Sequence, residues 1–352
     1  MMETLQGIAM ARRPTITAVA QAAGVSTATV DRVLNGRGMV RPDTAAKVLA
    51  AAEDIGFYAA ALIGHRLAPG KPRLRVGFLL QKSRQAFWQD FALAAEDAAR
   101  RTSAFDARAD VTFLQSQSPD DAVGAIEEMA GRVDAIAGTL VSHDRVTAAV
   151  DRAQAHGQPC FALLNDFAQG VRHSYIGMNN LKVGRVAAHM VATALTKRGK
   201  VAVFVGGSRW HGHALRETGF RSYFRETAPE ITVLDTLINL ETRQLTYEAT
   251  LDLLARHPDL AGLYVAGGGM EGALAALREV RAPGDVALVV NELTPDSRAA
   301  LADGYAAMAI ATPLDAVCAH VFEFAGLSLT GDAPPAASQL FLRPGLILPE
   351  IL

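Results

Sequence analysis

From Leu74 onward the chain alternates short apolar runs with longer stretches of helical period. LRVGFLL (74–80), VDAIAGTL (133–140), PCFALL (159–164), KVAVFVGG (200–207), AGLYVAGG (261–268), DVALVV (285–290) and YAAMAIA (305–311) lack the polar alternation of a half-exposed strand. Such runs read as strands covered on both faces. Between them AFWQDFALAAEDAAR (86–100), KVGRVAAHMVATAL (182–195) and MEGALAALREV (270–280) repeat apolar residues at helical spacing. Strand–helix alternation predicts parallel sheets built from α/β units. About eleven strands are more than one sheet comfortably holds, so the pattern predicts two subdomains. Open parallel sheets bind ligands beyond the carboxyl ends of their strands. Two such sheets face to face make a cleft that can close on a ligand.

The stretch up to residue 58 has a different rhythm. TITAVAQAAGVSTATVDRVLNGRG (15–38) carries two short helical stripes, Val19, Ala20 and Ala23 in one and Val30, Val33 and Leu34 in the other. Thr15 and Ser26 stand at the N-cap positions. Gly24 admits the positive φ of a tight joint, and Val25 can plug the angle between the helices. RPDTAAKVLAAAEDIGF (41–57) starts a third helix with Pro42 at its first position and stops it at Gly56. Three short helices on one small core form a helix-turn-helix head. Residues 59–73, AAALIGHRLAPGKPR, read as a hinge. Gly64 inside it costs a helix about 1 kcal/mol relative to Ala, and Pro69-Gly70 and Pro72 would end it.

Charge sharpens this division. Residues 1–75 hold ten Lys/Arg against five Asp/Glu, a surplus of +5 that leaves −7 on the rest of the 352-residue chain. A basic head on an acidic body predicts a nucleic-acid module joined to a module that binds something else. On the second helix, Thr27, Ala28, Asp31, Arg32 and Asn35 share the face opposite Val30 and Val33. That face would enter the major groove. Asp31 is the anomaly there. It can accept from a cytosine amino group, orient Arg32 or Arg37, or sit solvated at the groove edge and weaken non-specific binding.

The run from Thr15 to Gly56 resembles the LacI-type repressors: VAQAAGVSTATVDRVLNG carries the Val-Ala, Ala-Gly-Val-Ser, Thr-Val and Arg-Val-Leu-Asn elements in register. HSYIGMNNLKVGRVAAHMVATAL is similar to the Gly-x-x-Asn…Gly-Arg-x-Ala element of the sugar-binding body those regulators carry. The resemblance implies a dimeric transcription factor controlled by a small effector. It places Thr27, Ala28 and Arg32 at base-reading positions. Thr15, Ser26, Thr29 and Asn35 fall where phosphates are held, although Thr15 and Ser26 are caps as well. The family usually has Ser where Asp31 stands and a small capping residue where Arg41 stands. In the hinge the family wedges a Leu into the minor groove. Here Arg66 aligns with that position and Leu67 follows it, so Leu67 is the wedge candidate and Arg66 a reader of groove width.

Candidate ligand residues follow from strand ends. Gln81, Phe87 and Trp88 follow the first strand, the aromatics suited to an apolar sugar face or else to packing at a helix start. Asn165 and Asp166 follow PCFALL, and Asn291 and Glu292 follow DVALVV. By resemblance, Arg216 is the family arginine that forks onto ligand hydroxyls or a carboxylate. Glu292 stands where the family commonly has Asp, and Thr312 where a polar contact is common. The expected domains are a head at 1–58, a hinge at 59–73, one subdomain at 74–177 with 311–336, and a second at 178–310 with 337–352. The family's chain crossings fall near 178, 311 and 336.

The remaining features exclude rather than add. No apolar run reaches membrane-spanning length, and MMETLQGIAMARRP lacks the apolar stretch of a signal peptide, so a cytoplasmic location is expected. Cys160 and Cys318 lie far apart in apolar surroundings and read as buried thiols. No His/Cys cluster has metal-ligand spacing. AGGGMEG has neither dinucleotide-loop nor P-loop spacing and reads as a glycine-lined pocket wall. The expectation is therefore a homodimeric repressor without cofactor, metal or catalytic residues, binding operator DNA and a sugar or polyol. An α/β nucleotide-dependent oxidoreductase would explain the sheets but not the head. A solute-binding protein would need the missing leader.

Overall fold

The computed structural model describes residues 14–37, 39–67, 71–331 and 338–352, with the side chains of 65–67 excepted. The chain divides into two compact units, residues 1–71 and 72–352.

The described residues of the first unit form four helices, α1 (Ile16–Ala23), α2 (Thr27–Asn35), α3 (Pro42–Asp54) and α4 (Ala60–Leu67). Thr15 Oγ1 accepts from the Ala18 amide at 3.3 Å and Ser26 Oγ from the Thr29 amide at 3.2 Å, so both are caps in fact. Gly24 takes φ 66° and closes α1 in the left-handed region, as the tight joint requires. Arg41 precedes α3 without a side-chain cap bond. Val19, Val30, Val48 and Ala52 are fully buried in the shared core.

The head has one helix more than the sequence pattern suggests. The expected hinge is helical from Ala60 to Leu67, and Ile63 is fully buried in the head core with Phe57 and Ala59. Gly64 does not break it: a Cβ there would meet only Leu49 at an ordinary 3.5 Å. The propensity cost of one glycine, about 1 kcal/mol, is outweighed by the burial of Ile63, worth about 1.5–3 kcal/mol.

The second unit consists of two sheets. The first contains β1 (Arg73–Leu80), β2 (Asp106–Phe113), β3 (Ala135–Gly138), β4 (Cys160–Leu163), β5 (Ser174–Met178) and β11 (Ser338–Leu342), in the order β11-β5-β4-β3-β1-β2. The second contains β6 (Lys200–Val205), β7 (Leu237–Ile238), β8 (Leu260–Val265), β9 (Ala287–Asn291), β10 (Met308–Ala311) and β12 (Gly345–Ile347), in the order β12-β10-β9-β8-β6-β7. All pairings are parallel except β12 on β10. Among the described residues nine α-helices alternate with the strands: α5 (Ala86–Arg101), α6 (Pro119–Met129), α7 (Asp144–Ala155), α8 (Asn180–Ala194), α9 (His211–Thr227), α10 (Arg243–Arg256), α11 (Met270–Val280), α12 (Pro295–Ala302) and α13 (Leu314–Thr330).

The chain leaves the first lobe after β5, re-enters it after β10, and leaves again between β11 and β12. The last crossing corrects the sequence expectation. Residue 336 itself lies outside the described residues, but Ser338–Leu342 still pair with β5, so the crossing falls at Arg343–Pro344. Pro344 donates no backbone hydrogen bond, which suits it to a point where a strand changes sheets. Each lobe has a core on both faces of its sheet, with Phe78, Phe91, Phe161 and Phe322 in one layer and Phe204, Leu263, Leu274 and Val290 in another.

Candidate functional site

On the head, Thr27, Ala28, Arg32 and Asn35 are exposed along one side of α2, and Thr29 and Asp31 are half-buried beside them. Thr29 Oγ1 lies 2.9 Å from Ser26 Oγ. Asp31 has a partner that none of the three sequence readings anticipated: its Oδ1 accepts from Asn35 Nδ2 at 2.7 Å, one helical turn on. The carboxylate thus fixes the orientation of the Asn35 amide. Arg66 and Leu67 lie on helical backbone at the end of α4, and their side chains lie outside the described residues.

In the body, the strand ends of the two lobes face each other across a cleft. Its enclosed space is about 100 Å³, below the roughly 300–1,000 Å³ of small-ligand sites. Phe87, Trp88, Asn165, Arg216, Asn291 and Glu292, all chosen from sequence, line it. Phe87 and Trp88 open α5 and pack edge-on at 4.9 Å, with Trp88 stacked on Phe91 beneath. Asn165 joins the lobes: Nδ2 donates to the Leu140 carbonyl at 2.6 Å and Oδ1 accepts from the Gly212 amide at 2.9 Å. Arg216, on α9, is held by Nε to Asn180 Oδ1 and by Nη1 to the Ala266 carbonyl, both at 2.7 Å. That leaves its Nη2 without a hydrogen-bond partner among the described residues.

Glu292 adopts φ 70° at the end of β9. Its carboxylate accepts from Thr312 Oγ1 at 2.6 Å and from the Thr312 amide at 2.9 Å. Burial raises its pKa, and the two Thr312 bonds and nearby Arg216 offset only part of that. Two buried polar atoms that line the cleft, Asn291 Nδ2 and Thr139 Oγ1, have no partner among the described residues. Buried polar groups are almost always satisfied, so each marks a place for a ligand atom or ordered water.

Three sequence candidates face elsewhere. Gln81 is buried and spends its amide on the Thr139 carbonyl at 2.8 Å, tying β1 to the end of β3. Asp166 forms a buried ion pair with Arg172 and accepts from Gln339 at 2.8 Å. Thr312 does not line the cleft and serves it by holding Glu292. A strand end brings a residue near the cleft but does not decide which way its side chain turns.

Sequence reasoning missed Thr139, Trp210, His213, Glu241 and Glu271, all of which line the cleft. His213 Nδ1 accepts the Gly206 amide at 3.0 Å, which leaves the proton on Nε2. Burial first, then Arg216 and Lys82, push its pKa down to about 4 against the pull of Glu241, so the ring is neutral at neutral pH. Gly267 and Gly268 form a wall of the cleft. A Cβ on Gly267 would come within 2.5 Å of His213 Cε1, so the close approach needs glycine there. The signal for Trp210 and His213 was present in SRWHGHALRETGF, which follows a strand end as Arg216 does.

A two-lobed cleft of this kind, on a chain that begins with a basic helix-turn-helix head, defines a DNA-binding regulator with a ligand-binding body. The family described as periplasmic binding protein domain matches residues 76–325, and that described as bacterial regulatory proteins, lacI family, matches residues 15–59. The chain belongs to the LacI-type regulators that carry a periplasmic-binding-protein domain.

Among solved structures it is similar to an ABC transporter periplasmic solute binding protein from Actinobacillus succinogenes 130z with bound D-allose. The two share 22% identity over 79% of this chain and 98% of that one, with a TM-score of 0.72. An Agrobacterium vitis solute binding protein bound with alpha-D-tagatopyranose shares 23% identity over 79% and 95%, with a TM-score of 0.70. GanP, a glucose-galactose binding protein from Geobacillus stearothermophilus, shares 16% over 80% and 99%, with a TM-score of 0.72. At these identities the likeness is one of fold. No curated protein matches the chain. Among the described residues no helix is long and apolar enough to cross a membrane, and no group of three or more His, Cys, Asp or Glu is placed to hold a metal ion.

Proposed function

We infer that the protein is a cytoplasmic, homodimeric repressor whose grip on operator DNA is set by a small polyhydroxylated ligand, a sugar or polyol, held between the lobes. The observation that carries the ligand class is the pair of unsatisfied buried groups, Asn291 Nδ2 and Thr139 Oγ1, in the same cleft as the free Nη2 of Arg216 and the aromatic pair Phe87 and Trp88. Neutral hydroxyls can accept from the first and third, pair with the second, and present an apolar ring face to the aromatics. Gln81 and Thr312 support the site from behind, through Thr139 and Glu292. The sugars bound by the similar solute-binding proteins agree with this choice.

In this reading Thr27, Ala28 and Arg32 read base edges, with Arg32 able to fork onto a guanine. Thr15, Ser26, Thr29 and Asn35 hold phosphates, and Arg66 and Leu67 approach the minor groove. Asp31 acts through Asn35. Ligand binding favours one closure angle of the body, and closure changes the separation of the two heads in the dimer. A dimer that seats only one head loses the gain from linking two binding events. A solute-binding role would leave the head without a task, and no catalytic step is invoked. A thermal-shift panel of pentoses, hexoses, polyols and nucleobases on the full chain tests the ligand class. A sugar or polyol at 100 times its Kd raises stability by about 2.7 kcal/mol. A panel in which only nucleobases stabilise the protein contradicts it.

A further inference from the structure

The three crossings run along one edge of the lobes, where β5 and β11 end one sheet and β10 and β12 end the other. The opposite edges, β2 and β7, are free of covalent links between lobes. Rotation about the crossings therefore separates the β2 and β7 edges most. A polar contact joins the lobes at that edge. Lys82, just after β1, donates from Nζ to the Glu241 carbonyl at 2.9 Å and lies 3.3 Å from Glu241 Oε2. Gln117, after β2, donates Nε2 to the same Oε2 at 3.0 Å. Glu241 belongs to the second lobe, between β7 and α10.

The contact is built rather than incidental. Side chains of Lys82 and Glu241 are only 22% and 13% exposed, so this is a largely desolvated ion pair. Lys82, Leu240 and Glu241 all adopt positive φ, at 37°, 49° and 54°. Left-handed backbone at non-glycine residues is costly and persists only where its surroundings over-determine it. Here Asn239 supplies that hold: Oδ1 accepts the Glu241 amide at 2.8 Å and Nδ2 donates to the Gly268 carbonyl at 2.9 Å. The second carboxylate oxygen, Oε1, accepts the Gly268 amide at 3.2 Å and lies 3.7 Å from His213 Nε2 at the cleft wall. Burial raises the pKa of Glu241, but the charge His213 carries when protonated, then Lys82, the Gly268 amide and Gln117, outweigh burial and lower it. With His213 neutral, the cation beside it at neutral pH is Lys82.

We propose that Lys82, Gln117 and Glu241 form a latch that holds the lobes closed at the edge remote from the crossings, even before a ligand enters. The latch regulates access to the cleft, a consequence that rests on the cleft being the effector site. Removing one partner leaves the other charge buried and unpaired in the closed form, whereas opening hydrates it. The closed population therefore falls when Lys82 or Glu241 is neutralised, and falls less when Gln117, which supplies one hydrogen bond to Glu241 Oε2, is lost.

The chain's two tryptophans, Trp88 and Trp210, both line this cleft and are 8% and 5% exposed. Acrylamide quenching of the ligand-free, full-length protein thus reads closure directly. Glu241→Gln, Lys82→Met and Gln117→Leu reach the latch from both lobes. With far-UV circular dichroism unchanged, each is expected to raise the Stern–Volmer constant, by about twofold for the first two. A constant equal to wild type in all three overturns the latch. Because no ligand is present, raised quenching supports the latch even if no sugar or polyol stabilises the protein, and in that case only the effector reading falls.

Discussion

At the scale of single residues, burial sets the chemistry of the cleft. His213 has an ordinary value of 6.5 and a folded value near 4, lowered chiefly by desolvation. The unfolded chain therefore takes up a proton before the folded one does. The sign follows: the stability tied to neutral His213 is full above about pH 6.5 and drains away as the pH falls towards 4. His213→Gln should flatten the dependence of melting temperature on pH across that window, measured by calorimetry in steps from pH 7 to 4. A variant that keeps the wild-type slope would assign the acid sensitivity to other groups. Residue types and strand ends exposed part of this site. Asn165, Asn291 and Glu292 were legible because they are polar residues directly after apolar runs, whereas Arg216, inside α9, was legible only through the family resemblance. Gln81 and Asp166 satisfy the same criterion, yet each is consumed by other partners: Gln81 by Thr139, far away in sequence, and Asp166 by Arg172, six residues on, together with the distant Gln339. Glu241 was illegible because it follows a two-residue strand, too short to register as an apolar run.

At the scale of elements, the position of Arg216 depends on how closely two helices pack. A Cβ at Gly184 of α8 would sit 1.9 Å from the Arg216 carbonyl oxygen, and one at Gly219 of α9 2.1 Å from the Leu181 carbonyl oxygen. The two glycines let the backbones touch, which fixes where α9 aims Arg216. Gly184→Ala must push α9 outward at a cost of about 1–3 kcal/mol. It should weaken binding of any cleft ligand by about tenfold or more, read by isothermal titration, although Gly184 lies outside the cleft. Unchanged affinity would show that Arg216 is not positioned by this crossing. Buried elements were the legible ones: every strand named from sequence lies in a sheet. Strand β2 escaped because DARADVTF is a polar edge strand, only partly buried along its length. Helix α4 was read as a hinge because its pattern is short and interrupted by Gly64. Its stability comes from Ile63 entering a core assembled by other helices, which local pattern does not display.

At the scale of the whole molecule, a basic head and a closable body suit a device in which one ligand alters the binding of another. Both sites were visible in the sequence as a change of rhythm and charge near residue 74. Their coupling, in the proposed dimer, is a property that no single segment encodes. The most direct test is the affinity of the full-length protein for an operator selected from a palindromic library, measured by fluorescence anisotropy at fixed salt while a cleft-binding sugar or polyol is titrated. The account predicts that saturating ligand shifts operator affinity by roughly 5- to 150-fold, the usual range of allosteric coupling, and that Arg216→Met removes the shift. A ligand that fills the cleft and leaves operator affinity unchanged would contradict it, as would a protein that selects no DNA sequence.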